Sequence, residues 1–209
     1  MNATWKNLGV IGYIPCFSAM KKFTFSRSGE TKDEFWFVEH FPVFTLGKSG
    51  KREDIFDAGE IPVVDTDRGG QVTYHGPGQS IVYTLLDLRR LKVGPRELVR
   101  RIERGVVETL NQFGLEGNSV DGAPGVYLFG RKIASLGLRI RNGCTYHGVA
   151  LNVSNDLQPF SSINPCGVPN QLVTRLSDHV TNIDTTEVRD ILGKNLFASI
   201  YGANYIDAC

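Results

Sequence analysis

The sequence predicts an α/β (α+β) fold, a single domain over residues 1–209 with a mixed, mostly antiparallel sheet flanked by helices. Three observations point there. Short β-like runs bounded by Gly, Pro or Asp fill much of the N-terminal half, two helical patterns stand far apart, and an Asn-Gly pair separates two further β-like runs. Strands mixed with separated helices close a core by laying the helices on a sheet. Length allows it, because 209 residues fit one domain on a prior of about 100–200, and such a chain buries roughly 70% of its unfolded surface.

The early runs are Phe35–Val38, Val43–Leu46, Ile61–Val64, Gln71–His75 and Ser80–Leu86. A helix then opens at Pro95, which suits a first turn, and stops before Gly114. Leu98, Ile102, Val106 and Leu110 recur every four residues along it. Arg96, Arg100 and Arg104 keep the same spacing two positions out of phase, about 200° around the helix. The stretch Val126–Val153 reads as a meander turning at Asn142-Gly143, the pair that favours a type I′ hairpin. A two-residue loop sets Leu138 opposite His147, Gly137 opposite Gly148 and Ser135 opposite Ala150. Near the end, Asp184 reads as an N-cap with Glu187 at N3, and Val188, Ile191, Leu192 and Ile200 mark a final helix.

Hydrophobic residues at 41% and charged residues at 22% exclude a disordered chain. Balanced charge, 23 Lys plus Arg against 22 Asp plus Glu, gives no global field to draw nucleic acid, so any charge effect must be local. Met1–Tyr13 lacks a secretory signal pattern and no apolar run approaches the roughly 18 residues of a span. A cytoplasmic protein with no membrane or nucleic-acid partner is expected. Cys16, Cys144, Cys166 and Cys209 are widely spaced without a CxxC pair, the pattern of free thiols. His40, His75, His147 and His179 show no metal-ligand spacing, and no metal is expected.

Four features bear on chemistry. Cys166 lies in Asn164-Pro165-Cys166-Gly167, on a turn. It is either a small buried residue or a nucleophile, and the second role needs a nearby cation or base, since a free thiol near pKa 8.5 is barely ionised at neutral pH. Lys132 is the candidate partner. Strict alternation along Lys132–Leu138 puts it on the face of Ala134, Leu136, Leu138 and Ile140, where burial favours a neutral amine; the alternative is an edge lysine that snorkels into water. The run from Arg68 to Gly78 holds four glycines and is either a ligand-approached backbone or a plain glycine-rich hairpin; it is neither a dinucleotide fingerprint nor a P-loop. Facing glycines at 137 and 148 leave a slot suited to an acyl chain. His147, expected on the Lys132 face, is either a base or a structural histidine.

Arg68-Gly69-Gly70-Gln71-Val72-Thr73-Tyr74-His75, Lys132-Ile133-Ala134-Ser135-Leu136-Gly137, and His147-Gly148-Val149-Ala150-Leu151-Asn152 with Asn164-Pro165-Cys166-Gly167 together resemble the lipoyl(octanoyl) transferases of lipoate biosynthesis. The resemblance runs in order from about Thr45 to Cys166. It implies a fold similar to lipoate and biotin protein ligases and transfer of an octanoyl group from acyl carrier protein to a lipoyl-domain lysine. By position it implies Cys166 as the acyl-thioester nucleophile and Lys132 as the lysine that activates it. Arg68, Gly69, Gly70, Gln71, Val72, Thr73, Tyr74 and His75 match one wall of the acyl site, and Ser135, Leu136, Gly137, Gly148, Val149 and Ala150 the other. The implied partners are acyl carrier protein as donor and, as acceptors, lipoyl domains of 2-oxoacid dehydrogenases and the glycine cleavage H protein. No cofactor is implied, because the carrier thioester already holds the activation. The rival activities are an ATP-dependent lipoate or biotin ligase, a Cys166–His147 hydrolase, and a non-enzymic binding module.

Overall fold

The computed structural model describes residues 3–168 and 171–202, without the side chain of Cys166. Among the described residues, ten strands form two sheets. β1 (Ala3–Ile11), β2 (Asp33–His40), β6 (Gln79–Leu85), β10 (Cys144–Asn152), β9 (Arg131–Arg141), β8 (Ala123–Leu128) and β7 (Asn118–Val120) lie side by side in that order. A smaller sheet holds β4 (Val63–Asp65), β3 (Val43–Leu46) and β5 (Val72–His75) in that order. Only β1–β2 and β3–β4 run parallel, so the sheets are mixed and mostly antiparallel, as expected.

The helices are α1 (Tyr13–Ser26), α2 (Leu88–Leu91), α3 (Pro95–Gln112) and α4 (Thr185–Tyr201). Alternation along β2 divides the large sheet between two cores. Phe35 and Phe37 join Val82, Val149 and Leu151 under α3 and α4, where Leu98, Ile102, Val106 and Leu110 are all fully buried. Trp36 and Val38 join Ile81, Tyr83 and Tyr146 under Cys16 and Met20 of α1. A third cluster, with Phe44, Val72, Tyr74 and Phe160, supports the small sheet. Asp184 caps α4 by accepting the Thr186 amide at 2.8 Å, and Asn142 and Gly143 turn the β9–β10 hairpin with φ of 49° and 75°. The pairing is the one the turn demands: Gly148 faces Gly137, His147 faces Leu138 and Ala150 faces Ser135. Among the described residues, no helix is long and apolar enough to cross a membrane.

Three sequence expectations need correction here. Two helices were expected, and α1 was not among them; its buried positions Tyr13, Cys16, Met20 and Thr24 alternate with exposed Ile14 and Phe25, which blurs the apolar stripe. The Arg68–Gly78 run is not a hairpin, because β5 and β6 belong to different sheets and Gly76–Gly78 carries the chain between them. Strict alternation in β9 also fails near its start. Val126 faces Ala134 while Tyr127 faces Lys132, so Ile133 is the extra residue of a β-bulge.

Candidate active site

The first wall is the loop 68–71 leading into β5. Backbone bonds hold it on two sides, Lys48 N to Arg68 O at 3.0 Å and Gly69 N to Leu138 O at 2.8 Å. The Arg68 side chain is buried and works as scaffold, donating to the Thr45 carbonyl and the Gln71 carbonyl, each at 2.6 Å. The second wall is the β9–β10 hairpin. Between them lies a cavity bordered by Arg68, Gly70, Gln71, Val72, Thr73 and His75 on one side and by Ser135, Leu136, Gly137, Gly148, Val149 and Ala150 on the other. Two of the expected wall residues stand elsewhere. Gly69 borders only the adjoining cleft, and Tyr74 turns away, packing on Phe44 and Phe160 with centroids 5.6 Å apart. Tyr74 shares a strand face with Val72 of the third cluster, whereas Thr73 and His75 point the opposite way.

The facing glycines serve a closer purpose than an open slot. A Cβ on Gly137 would sit 2.8 Å from the Gly69 carbonyl, and one on Gly148 would sit 2.0 Å from the Val82 carbonyl. Neighbouring backbone takes the space that side chains would fill. Both residues still border the cavity.

The inner end of the cavity uses residues that sequence reasoning missed: Tyr13, Ile81 and Tyr83. They come from α1 and β6, and no local motif marks them. Beside them, burial, with the nearby His40 adding to it, holds His75 down at about 3, and burial holds His40 at about 4. Both rings are therefore neutral at physiological pH, and burial likewise keeps the Tyr83 phenol un-ionised. A largely apolar lining, with Arg68 tied to the Thr45 and Gln71 carbonyls and the other polar groups neutral, suits an uncharged acyl chain.

His147 departs from the expected face. Its φ of 62° is unusual for a residue with a Cβ and costs roughly 1–2 kcal/mol. That twist turns the ring toward Phe17, Tyr83 and Tyr146 and away from the Lys132 side of the strand. A charge-assisted hydrogen bond, worth about 1.5–3 kcal/mol, offsets the strain: Nε2 lies 3.0 Å from Asp67 Oδ1. Burial would raise the Asp67 carboxyl, but bonds from His147 and Tyr146 outweigh it and pull the group to about 2. Burial also lowers His147, so the pair is a neutral imidazole donating to a carboxylate. His147 clamps the Asp67–Arg68 loop, and a structural histidine is the reading the geometry supports.

Beyond Gly70, Gln71, Leu136 and Gly137, which border both spaces, the cavity opens into a larger cleft. Lys132 lies in that cleft with Leu136, Leu138 and Ile140, so the bulge leaves it with most of its expected neighbours. It does not snorkel. The residue is 2% exposed, with Nζ 5.3 Å from the centre of the Tyr127 ring. Its backbone is tied to the segment after the Cys166 turn, Lys132 N to Leu172 O at 2.8 Å and Thr174 N to Lys132 O at 3.0 Å.

The turn Pro165–Gly167 packs against the first wall. A Cβ on Gly167 would fall 2.4 Å from Gln71 Oε1, and Val168 borders the cleft that holds Lys132. The turn carrying Cys166 thus leads into the cleft border at Val168; the Cys166 side chain, like all of Cys209, lies outside the described residues. The described cysteines, Cys16 and Cys144, are free and buried.

Comparison with known proteins matches this arrangement to a family. The profile of the lipoyl protein ligase A/B catalytic domain covers residues 16–197. An octanoyltransferase of Chromobacterium violaceum is 54% identical over 187 residues, 90% of each chain. In fold, the chain is similar to the bipartite lipoate protein ligase of Thermoplasma acidophilum, studied with its E2 lipoyl domain, at TM-score 0.77, 19% identity and coverage of 95% and 84% of the two chains. The biotin protein ligase of Aquifex aeolicus is similar at TM-score 0.55, 12% identity and coverage of 95% and 68%. The chain belongs to the lipoyl protein ligase A/B catalytic domain family, and within it to the octanoyltransferases.

Proposed function

We propose that this acyltransferase takes an octanoyl group from acyl carrier protein onto the thiol of Cys166 and passes it to a lysine of lipoyl domains. The observation that carries the reading is the buried Lys132 in a cleft bordered by Val168, just after the Pro165–Gly167 turn, and joined at Gly70, Gln71, Leu136 and Gly137 to a largely apolar cavity. In the first step Lys132 takes the Cys166 thiol proton, the thiolate bonds to the acyl carbon, the carbon–sulfur bond to the carrier's phosphopantetheine breaks, and that sulfur leaves as a thiol with the proton returned by Lys132. In the second, the acceptor lysine nitrogen bonds to the acyl carbon, the Cys166 thiolate is released, and Lys132 takes the surplus proton from the nitrogen. The thioester supplies the activation, so neither nucleotide nor metal enters. Lipoyl domains of 2-oxoacid dehydrogenases and the glycine cleavage H protein are the acceptors in this reading.

The test is mass spectrometry of a lipoyl domain incubated with octanoyl-acyl carrier protein and this enzyme, without ATP. The domain should gain one octanoyl group. Transfer only from free octanoate with ATP would make the protein a ligase, and release of free octanoate despite the acceptor would make it a hydrolase. His147, turned toward Asp67 and α1, gives the hydrolase reading little support.

Docking of the acidic carrier and acceptor domains has a candidate surface. Arg96, Arg100 and Arg104 are exposed on α3, and the first two directly follow Pro95 and Val99, which border the cleft. Arg101, by contrast, is engaged with Glu97 at 2.9 Å and with the Ile200 carbonyl at 2.8 Å. Changing the three exposed arginines together to Gln should raise KM for the protein substrates about tenfold at low ionic strength. Turnover of a small acyl-pantetheine thioester should stay as in wild type, and the defect should shrink as salt screens the steering. Equal loss on both substrates would assign the arginines to the fold instead.

A further inference from the structure

Among the buried carboxylates outside the expected sites, Glu103 is the one beside the Lys132 cleft. Pro95, Val99 and Glu103 follow one another at four-residue spacing along one side of α3. The first two border the cleft that holds Lys132. Glu103, 7% exposed, reaches across to β8, where its Oε1 accepts the Gly125 amide at 2.9 Å. Gly125 has a φ of 132°, and a Cβ there would fall 2.6 Å from Lys132 Cε and 3.3 Å from its Nζ. The lysine stem therefore lies directly on the residue whose amide the carboxylate grips. Only glycine leaves room for it.

We propose that Glu103 is a positioning residue: anchored on the Gly125 amide, its carboxylate holds the Lys132 side chain in the cleft and supplies the negative charge beside it. The proposal rests on the reading of Lys132 as the proton acceptor. A carboxylate this buried is costly without hydrogen bonds and a counter-charge. Burial indeed pushes the Glu103 carboxyl up, while the Gly125 amide and the Lys132 charge pull against it. The other charges acting on the carboxylate are Asp121, which opposes its ionisation, and Arg100, which favours it. On the lysine side the Tyr127 ring packs against Nζ.

Glu103→Gln separates charge from scaffold, because the amide oxygen still accepts the Gly125 N–H. With that negative charge removed, the ascending limb of the kcat–pH profile for octanoyl transfer should move about one unit to lower pH. KM for both protein substrates should match wild type, while the melting temperature should fall modestly because the buried Lys132 loses its counter-charge. Glu103→Asp, which keeps the charge, should leave the limb near its wild-type position. A Glu103→Gln limb that superimposes on wild type, or a Glu103→Asp limb that shifts equally, overturns the proposal. Lys132→Met measured alongside tells the two readings apart. If that variant transfers octanoyl at the wild-type rate, the proton-acceptor reading fails and takes the proposal with it. If it is inactive while Glu103→Gln superimposes, only the carboxylate's role is lost.

Discussion

Cys166→Ser should lose turnover by on the order of 10⁴-fold or more, because a hydroxyl at this position cannot form the thioester through which the acyl group is passed. Wild-type enzyme mixed with octanoyl-acyl carrier protein, and no acceptor, should gain the mass of one octanoyl group. The Ser variant should gain none. The remaining cysteines give the experiment its contrast. Burial pushes the Cys16 thiol up to about 12 and raises that of Cys144, so neither supplies thiolate at neutral pH. Ala substitutions at Cys16, Cys144 and Cys209 should therefore leave the adduct intact. A Cys166→Ser enzyme that transfers octanoate at the wild-type rate would sink the covalent route and reopen direct transfer between the two protein substrates.

Lys132→Met has the second-largest expected effect. Met fills much of the same buried volume among Tyr127, Leu136 and Gly125, so the fold should survive while the amine is lost. Both half-reactions should slow by about 10²–10⁴-fold, the usual worth of a positioned acid–base group. Alkylation of Cys166 by iodoacetamide, followed by peptide mapping against pH, tests the activation directly. The variant's curve should shift to alkaline pH, toward the roughly 8.5 of a free thiol. Overlapping curves would separate Lys132 from thiol activation and leave it only the second step. Met leaves the Glu103 carboxylate buried without the lysine's charge, so a lowered melting temperature is expected as well.

What contiguous residues encode was legible in the sequence. Asn142-Gly143 can adopt the left-handed backbone of a two-residue turn, and that alone set the register that brings Gly137 opposite Gly148 and Ser135 opposite Ala150. The Pro95 start and four-residue apolar spacing of α3, and the Asp184 cap of α4, are likewise local chemistry. The segments that border the cavity, apart from Gly69 and Tyr74, could be named because their motifs are unbroken. The Lys132 neighbourhood was mostly right because it follows from strand alternation, and the Ile133 bulge disturbed it only at its edge.

Packing across distant segments decided the rest. His147 faces Leu138 in the ladder, yet its ring lies on the α1 side because Asp67, eighty residues earlier, holds it there at a positive φ. Gly76–Gly78 resembles a hairpin turn, but the strands on either side join different sheets, a choice set by which neighbours bury them. The inner end of the cavity draws on Tyr13 from a helix with little amphipathic signature and on Ile81 and Tyr83 from a strand buried on both faces. Glu103 looked like one more polar position on a charged helix until Gly125 and Lys132 were folded against it. Turns and periodicity are short-range and survive in a linear reading; the face a side chain takes and the partner it meets are properties of the closed core, where desolvation and long-range hydrogen bonds outweigh local preference.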